Sequence, residues 1–360
     1  MSEIVLREVL KRYGTVQAVR GLSFEVDAGE LFCLLGPPGM GKTTVLRLIA
    51  GLERPDAGEI LVDGQPVQEA RPGQRDVAMV FDDIALYPHM HGFDNIAHPL
   101  RRRRLRDAEV RRRVDDVAAL LGISHLLGRL PHTFSGGEQQ RVAVARAIVR
   151  EPKILLLDQP LSNLDAKVRE VMIGELRHLQ QRIRQTAIYA THDYEEAMAL
   201  GDRILILHDG QADQIGTPDE VYSRPTTTLA ATVTGSPPMN LISCRVHNGQ
   251  AVVDGWTVPV DGAPEEIILG IRPEHVRLGE GVPGVIDLVQ PLGRRKIVEV
   301  LFSEVRLKAV APPDFQGARG MPVRVTLNPQ DVRVYTRAGR LTPAQVTAPP
   351  APLEGADSNP

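Results

Sequence analysis

Eight consecutive residues, Gly36-Pro-Pro-Gly-Met-Gly-Lys-Thr43, have the types and spacing needed to grip a polyphosphate. Glycines at Gly36, Gly39 and Gly41, with Pro37, Pro38 and Met40 between them, let backbone N–H groups turn inward around phosphate oxygens. Lys42 places a point charge near the terminal phosphates, and the Thr43 hydroxyl can hold Mg²⁺. Such a loop needs a strand to deliver it and a helix to receive it. The apolar run Leu31-Phe-Cys-Leu-Leu35 precedes it, and Thr44-Val-Leu-Arg-Leu-Ile-Ala50 follows it. The pattern predicts a bound nucleoside triphosphate. The plain alternative is a glycine-rich turn with a chance lysine, and the flanking elements weigh against it.

Three further segments add chemistry. Ile154-Leu-Leu-Leu-Asp158 reads as a buried strand tipped by an acid, which could hold Mg²⁺ through water beside Thr43. Alone, it would more often be an ordinary core strand followed by a turn acid. Before it stands Thr133-Phe-Ser-Gly-Gly-Glu-Gln-Gln-Arg141, where Ser135, Gly136, Gly137 and Glu138 open a long helix whose first amides can face an anion. After it stands Ala190-Thr-His-Asp193. The order and spacing of the four segments together are highly specific.

The elements that must position these residues follow from the hydrophobic pattern. Up to about residue 235, apolar runs alternate with amphipathic stretches, the rhythm of a mostly parallel α/β layer. Buried strands are predicted at 31–35, 77–81, 154–157, 186–190 and 203–207. Between about 91 and 150 the strand signal disappears, and a helical block is expected, with helices over 107–121 and from Ser135 through Ile148. Arginine clusters at 101–104 and 111–113 read as solvated helix faces, since no aromatic residues are interleaved with them. Thr234-Gly-Ser-Pro-Pro-Met-Asn240 predicts a linker. Short β-like runs over 236–341 then suggest a small barrel or sandwich, and residues 342–360, proline-containing and aperiodic, are expected to be disordered.

Composition narrows the function classes. The chain has 360 residues, 42 basic against 45 acidic, and 42% hydrophobic content, enough for two or three folded domains. A net charge of −3 argues against a protein that coats nucleic acid. The two cysteines, Cys33 and Cys244, suggest neither a disulfide framework nor a redox or zinc site. No apolar stretch is long enough to span a bilayer, and the N-terminus lacks the features of a secretion signal, so a cytosolic location is expected.

With these motifs in order, the sequence resembles the ATP-binding subunits of ABC transporters over residues 1 to about 340. The phosphate loop is Gly36–Thr43 with Thr44, the signature Ser135–Glu138, the second acidic motif Ile154–Asp158, the dimer-contact loop Ser162-Asn-Leu-Asp165 and the switch histidine His192. Tyr13 stands where the family stacks an aromatic ring on adenine. Ala85-Leu-Tyr-Pro-His-Met90, Gly235-Ser-Pro-Pro-Met-Asn240 and Gly270-Ile-Arg-Pro-Glu-His275 resemble segments of the carbohydrate- and polyol-importer branch, of maltose or glycerol type. The resemblance implies a nucleotide-binding domain over 1–235 with its helical subdomain near 91–150, and an oligonucleotide-fold-like regulatory domain over 236–341 that does not bind nucleic acid. It implies ATP and Mg²⁺ as cofactors, a second ATP-binding subunit, and two integral-membrane permease subunits engaged through a groove near Tyr87–Met90. A solute-binding protein would take part indirectly, and the chain would lie on the cytoplasmic face of the membrane. A regulatory or non-transport ATP-binding switch is the alternative.

Two positions depart from the family. Gln159 stands where the family has the glutamate that polarises the attacking water, and Asp82, which with Thr43 and Asp158 is a candidate to hold Mg²⁺, follows Val80-Phe81 where the family has a glutamine touching Mg²⁺ and water. A neutral amide can orient water but cannot take its proton. Three explanations remain open at this level: a degenerate half of a heterodimer, an engineered ATP-trapping variant, or relocation of the carboxylate to Asp82. In the first, the intact Ser135–Glu138 would complete the partner's site.

Overall fold

The computed structural model describes residues 3–83, 85–162, 164–253, 256–302 and 305–352. Asn163 of the expected dimer-contact loop lies outside them. The chain divides into two compact units, Met1–Pro218 and Asp219–Pro360.

The first unit opens with a hairpin of two long strands, β1 (Ile4–Tyr13) and β2 (Val16–Val26), before β3 (Leu31–Leu35) leads to the phosphate loop and α1 (Lys42–Ala50). Strands β4 (Ala57–Val62), β5 (Gln65–Pro66) and β6 (Val77–Val80) follow. Helices α2 (Gly92–Arg102), α3 (Asp107–Leu120) and α4 (Gly136–Ile148) then form the helical block. Strand β7 (Ile154–Asp158), α5 (Ala166–Ile183), β8 (Thr186–Thr191), α6 (Tyr194–Leu200), β9 (Arg203–His208) and β10 (Gln211–Gly216) complete the unit.

Two sheets result. One is antiparallel in the order β2-β1-β4-β5; the other runs β10-β9-β3-β8-β7-β6 and is parallel apart from β10. All five residues of β3 and of β7 are buried. Parallel strands covered on both faces read as unbroken apolar runs, which is why these were legible in the sequence. Helix α1 supplies Val45, Leu46, Leu48 and Ile49 to a core shared with Ile4, Leu22 and Phe24 of one sheet and Phe32, Leu156 and Ile188 of the other. The Phe24 and Phe32 rings stack at 5.2 Å. Helix α1 ends at Gly51, whose left-handed φ of 76° lets its N–H reach back to Arg47 and Leu48. Buried Arg75 donates to the carbonyls of Leu48 and Ile49, satisfying that terminus and holding the helix in place.

In the second unit, helices α7 (Pro218–Ser223) and α8 (Thr228–Val233) precede strands β11 (Asn240–His247), β12 (Gln250–Val253), β13 (Trp256–Asp261) and β14 (Glu266–Ile271). Then come β15 (Val276–Pro291), β16 (Lys296–Phe302), β17 (Val305–Ala311), β18 (Pro322–Leu327), β19 (Arg333–Thr336), β20 (Gln345–Val346) and β21 (Ala351–Pro352). One sheet runs β19-β14-β11-β12-β13-β20 with β21 also on β13, and the other runs β17-β16-β15-β18. Their inner faces share an apolar core around Trp256, Phe302, Val300 and Leu307. The Asn240 amide ties the sheets together, donating to Ile271 O and Lys308 O and accepting from Lys308 N–H.

Two expectations change here. The first unit ends earlier than residue 235, because residues 222–240 are built into the β unit rather than linking to it. Arg272, 3% exposed, donates to the carbonyls of Tyr222, Ala231 and Thr234, and Thr234 is fully buried. The stretch from 342, expected to be disordered, supplies β20 and β21, both paired with β13. Its prolines interrupt any period, yet two-residue strands need none. Residues 353–360 lie outside the described part.

Candidate functional site

The site is laid out by the backbone before any side chain is considered. Leu35 of β3 sits opposite Thr191 of β8, and Asp158 of β7 sits opposite Ala190, so three parallel strands end at one edge. The residues that follow them, Gly36, Gln159 and His192, are therefore neighbours. Gly36 N–H donates to Thr191 O at 3.3 Å and Gln159 N–H to Ala190 O at 2.9 Å. Ligands of open parallel sheets bind outside such carboxyl ends.

The loop between β3 and α1 tolerates no side chain at two of its glycines. A Cβ on Gly36 would lie 2.4 Å from Leu207 O, and one on Gly41, at φ 98°, would lie 2.4 Å from Ala18 O. Lys42 is 4% exposed and donates from Nζ to Gly36 O at 2.6 Å and Pro37 O at 2.8 Å. Burial pushes its pKa down to about 8, against the pull of Asp158. Two carbonyls occupy two of the three ammonium donors, and a desolvated cation gains most from an anion brought to the third.

Beside it, Thr43 Oγ1 donates to Asp158 Oδ1 at 3.2 Å. Asp158 is 1% exposed, and burial raises its pKa, with the Asp82 charge adding to the rise while Thr43, Lys42 and Arg47 oppose it. A hydroxyl and a carboxylate, with water and phosphate oxygens, form the hard, incomplete donor set that suits Mg²⁺ on a nucleotide. Among the described residues no group of three or more His, Cys, Asp and Glu could form an all-protein metal cage. The residues present thus fit Mg²⁺ arriving with a triphosphate. Asp82 itself is exposed, and its Oδ1 accepts from Asp83 N–H at 2.9 Å.

Gln159 adopts a left-handed φ of 46°, which few non-glycine residues do and which recurs at functional sites. Its Oε1 lies 2.8 Å from His192 Nδ1. The pair aims an amide and an imidazole from adjacent strand ends. Neither is a carboxylate. Tyr13, at the end of β1, keeps an exposed ring under the Lys11 ammonium, 5.3 Å from its centroid.

Ser135 caps α4 in a closed box: its Oγ accepts from Glu138 N–H at 3.3 Å, and its own N–H donates to Glu138 Oε2 at 2.7 Å. That backbone bond, with His125 at 3.2 Å from the other carboxylate oxygen, holds the Glu138 carboxyl below its usual range. A Cβ added at Gly136 or Gly137 would meet Leu164 or Val168, so this helix start adjoins the start of α5.

A groove of about 410 Å³ runs between β6 and the helices α2 and α4, lined by Phe81, Tyr87, His98, Pro99 and Arg146 among others. Arg146 donates to Ala85 O at 2.7 Å and lies over the Tyr87 ring, while buried Asn95 bonds the backbone of Tyr87 and Met90. Sequence reasoning missed Asn95, Arg146, Arg169 and Glu196. Each reads as an ordinary polar helix residue, and only its packing distinguishes it.

Similarity to known proteins accords with this geometry. A family model described as ABC transporter matches residues 19–162, a MalK OB fold domain matches 235–276 and a TOBE domain matches 269–335. The chain is 43% identical over 309 residues to an sn-glycerol-3-phosphate import ATP-binding protein, UgpC, of Bordetella avium, covering 83% of this chain and 85% of that one. It is 39% identical over 349 residues to the sulfoquinovosyl glycerol transport ATP-binding protein SmoE of Agrobacterium fabrum, covering 93% and 98%. Among solved structures, a dimeric ATP-binding cassette, MJ0796, bound to ADP and phosphate superimposes with a TM-score of 0.54 at 29% identity, covering 60% of this chain and 98% of that one.

Proposed function

Because the chain belongs to the ABC transporter family of ATP-binding proteins, we propose that it couples ATP binding and hydrolysis to import of a carbohydrate or polyol, as the degenerate half of a heterodimer. Glycerol-3-phosphate and related polyol derivatives are the favoured cargo class, since the relatives are named for such transport. Lys42 holds the terminal phosphates, and Thr43 and Asp158 hold Mg²⁺, which supplies counter-charge to the phosphates. Gln159 orients a water without deprotonating it, and His192 donates to the terminal phosphate. Tyr13 stacks on adenine. Ser135–Glu138 completes the site of the second subunit, whose own base would do the work this chain lacks. The groove at Tyr87 receives the permease from the cytoplasmic face; no helix among the described residues is long and apolar enough to cross a membrane.

The observation that carries the reading is the asymmetry of one sheet edge: a buried cation and a Thr43–Asp158 pair on one side, an amide in place of an acid on the other. The test is ATP binding and turnover by the full-length chain, alone and with a second ATP-binding subunit and permease pair. Tight Mg·ATP binding with slow turnover alone, raised by the partners, is expected. A second reading gives the role of base to Asp82, the exposed carboxylate that follows Val80-Phe81. Brisk turnover by the lone chain, abolished by Asp82→Asn, would select it.

A further inference from the structure

We propose that Arg169 is a positioning residue for hydrolysis, tying the backbone of Leu161 and Leu164 to the turn that carries His192. It stands one turn into α5, just after Asp165, the N-cap whose carboxylate accepts from Val168 N–H at 3.1 Å. Its guanidinium reaches back to the loop, Nε donating to Leu161 O at 3.3 Å and Nη2 to Leu164 O at 3.0 Å. The same group faces the next strand end, with Nη1 at 3.5 Å from Asp193 Oδ2 and Nε at 3.7 Å from Glu196 Oε1. Glu196 is 3% exposed, and its second oxygen accepts from Tyr189 Oη at 2.9 Å and Thr191 Oγ1 at 2.7 Å.

Thr191 and Asp193 flank His192, and one planar cation faces Asp193 directly and Thr191 through Glu196 while holding the carbonyls of Leu161 and Leu164. Gln159, Ser162 and His192 line the small cavity beside Arg169. A rigid five-donor fork can make these contacts together; the single ammonium of lysine cannot span them. Exposed ion pairs contribute little, but Glu196 is buried, and removing its counter-charge leaves an uncompensated carboxylate under the turn. A displacement of Leu161 and Leu164 is thereby passed to the turn that carries His192.

The inference rests on the reading that His192 acts at the terminal phosphate. The test uses the full-length chain with isotope-labelled histidine, His192 being assigned among the ten histidines by its loss in His192→Gln. Arg169→Met is expected to move the His192 ring signals and to lower kcat by about ten- to a hundredfold, with KM for ATP changed by less than about twofold. Arg169→Lys should recover little. Glu196→Gln keeps an acceptor for Tyr189 and Thr191, guards against a folding failure, and should move the same signals. Unmoved His192 signals in both Arg169→Met and Glu196→Gln, or a raised KM at unchanged kcat, would overturn the proposal. Unchanged kcat in His192→Gln would overturn the parent reading and the catalytic part of this one, while the Arg169→Met shifts would still report the tie between the two segments.

Discussion

The two sides of the nucleotide edge differ in both burial and chemistry. On the inner side, Lys42 at the start of α1 is 4% and Asp158 at the tip of β7 1% exposed, and each is bonded to fixed partners. On the outer side, just past the ends of β7 and β8, Gln159 and His192 bond each other near the surface, and Gln159 holds its position at a backbone conformation unusual for a side-chain-bearing residue. The first side is the one proposed to grip a triphosphate; the second pairs an amide with an imidazole where the family places a glutamate. Gripping and turnover are separable functions of neighbouring strand ends. One can be lost while the sheet that positions both stays intact.

The sharpest way to break that contrast is to restore the acid. Gln159→Glu keeps the side-chain length and the bond to His192 Nδ1, and is expected to raise ATP turnover by about a hundredfold or more, the usual worth of a positioned base. Phosphate release by the lone chain measures it. No change would mean that the proton leaves by another route and that the two sides are not divided as argued. Lys42→Ala attacks the other side. It removes the buried cation proposed to face the phosphates, so Mg·ATP affinity should fall about a hundredfold, as in loss of a buried charged partner. Calorimetric titration reads it directly, and affinity within about threefold of wild type would undo the assignment of the gripping side.

The sequence revealed these two sides unequally. The phosphate loop was readable because glycine spacing, an apolar strand and a helix all had to coincide, and the strands at 31–35 and 154–157 were readable because burial on both faces leaves no polar residue in them. Gln159 was readable only against the family pattern. Arg169 and Glu196 were not readable at all. An arginine early in a helix and a glutamate in the first turn of another are the commonest of surface residues, and nothing local says that Glu196 is buried under Thr191. In the β unit the short strands were visible as β-like runs from about 241 onward, most plainly from 267. The segment around Thr234 looked like a linker because the cation that buries it, Arg272, lies far along the chain.

Tyr13→Ala should touch the gripping side alone. An exposed aromatic ring offers adenine a stacking surface, and such contacts contribute about 1 kcal/mol, so affinity for ATP should fall about fivefold with kcat unchanged. Tyr13→Phe should bind as the wild type does, since the hydroxyl takes no part in stacking. A loss of affinity as large for inorganic triphosphate as for ATP would move Tyr13 out of the base-binding position.

The smallest expected effect is also the one that separates the two accounts of the missing base. Asp82 carries its charge toward Asp158, whose carboxyl it helps to keep above its ordinary range, but its own Oδ1 is engaged by the neighbouring Asp83 N–H. If the gripping and water-orienting sides are divided as proposed, Asp82→Asn removes a repulsion and no base, and turnover should change by less than about threefold, far from the loss that follows removal of a general base. If Asp82 has taken over proton transfer, the same substitution should lower turnover by about a hundredfold, and Gln159→Glu should then add little to a chain that already possesses a base. Measuring both variants and their combination decides the matter, because a shared step makes their effects non-additive and separate steps make them multiply.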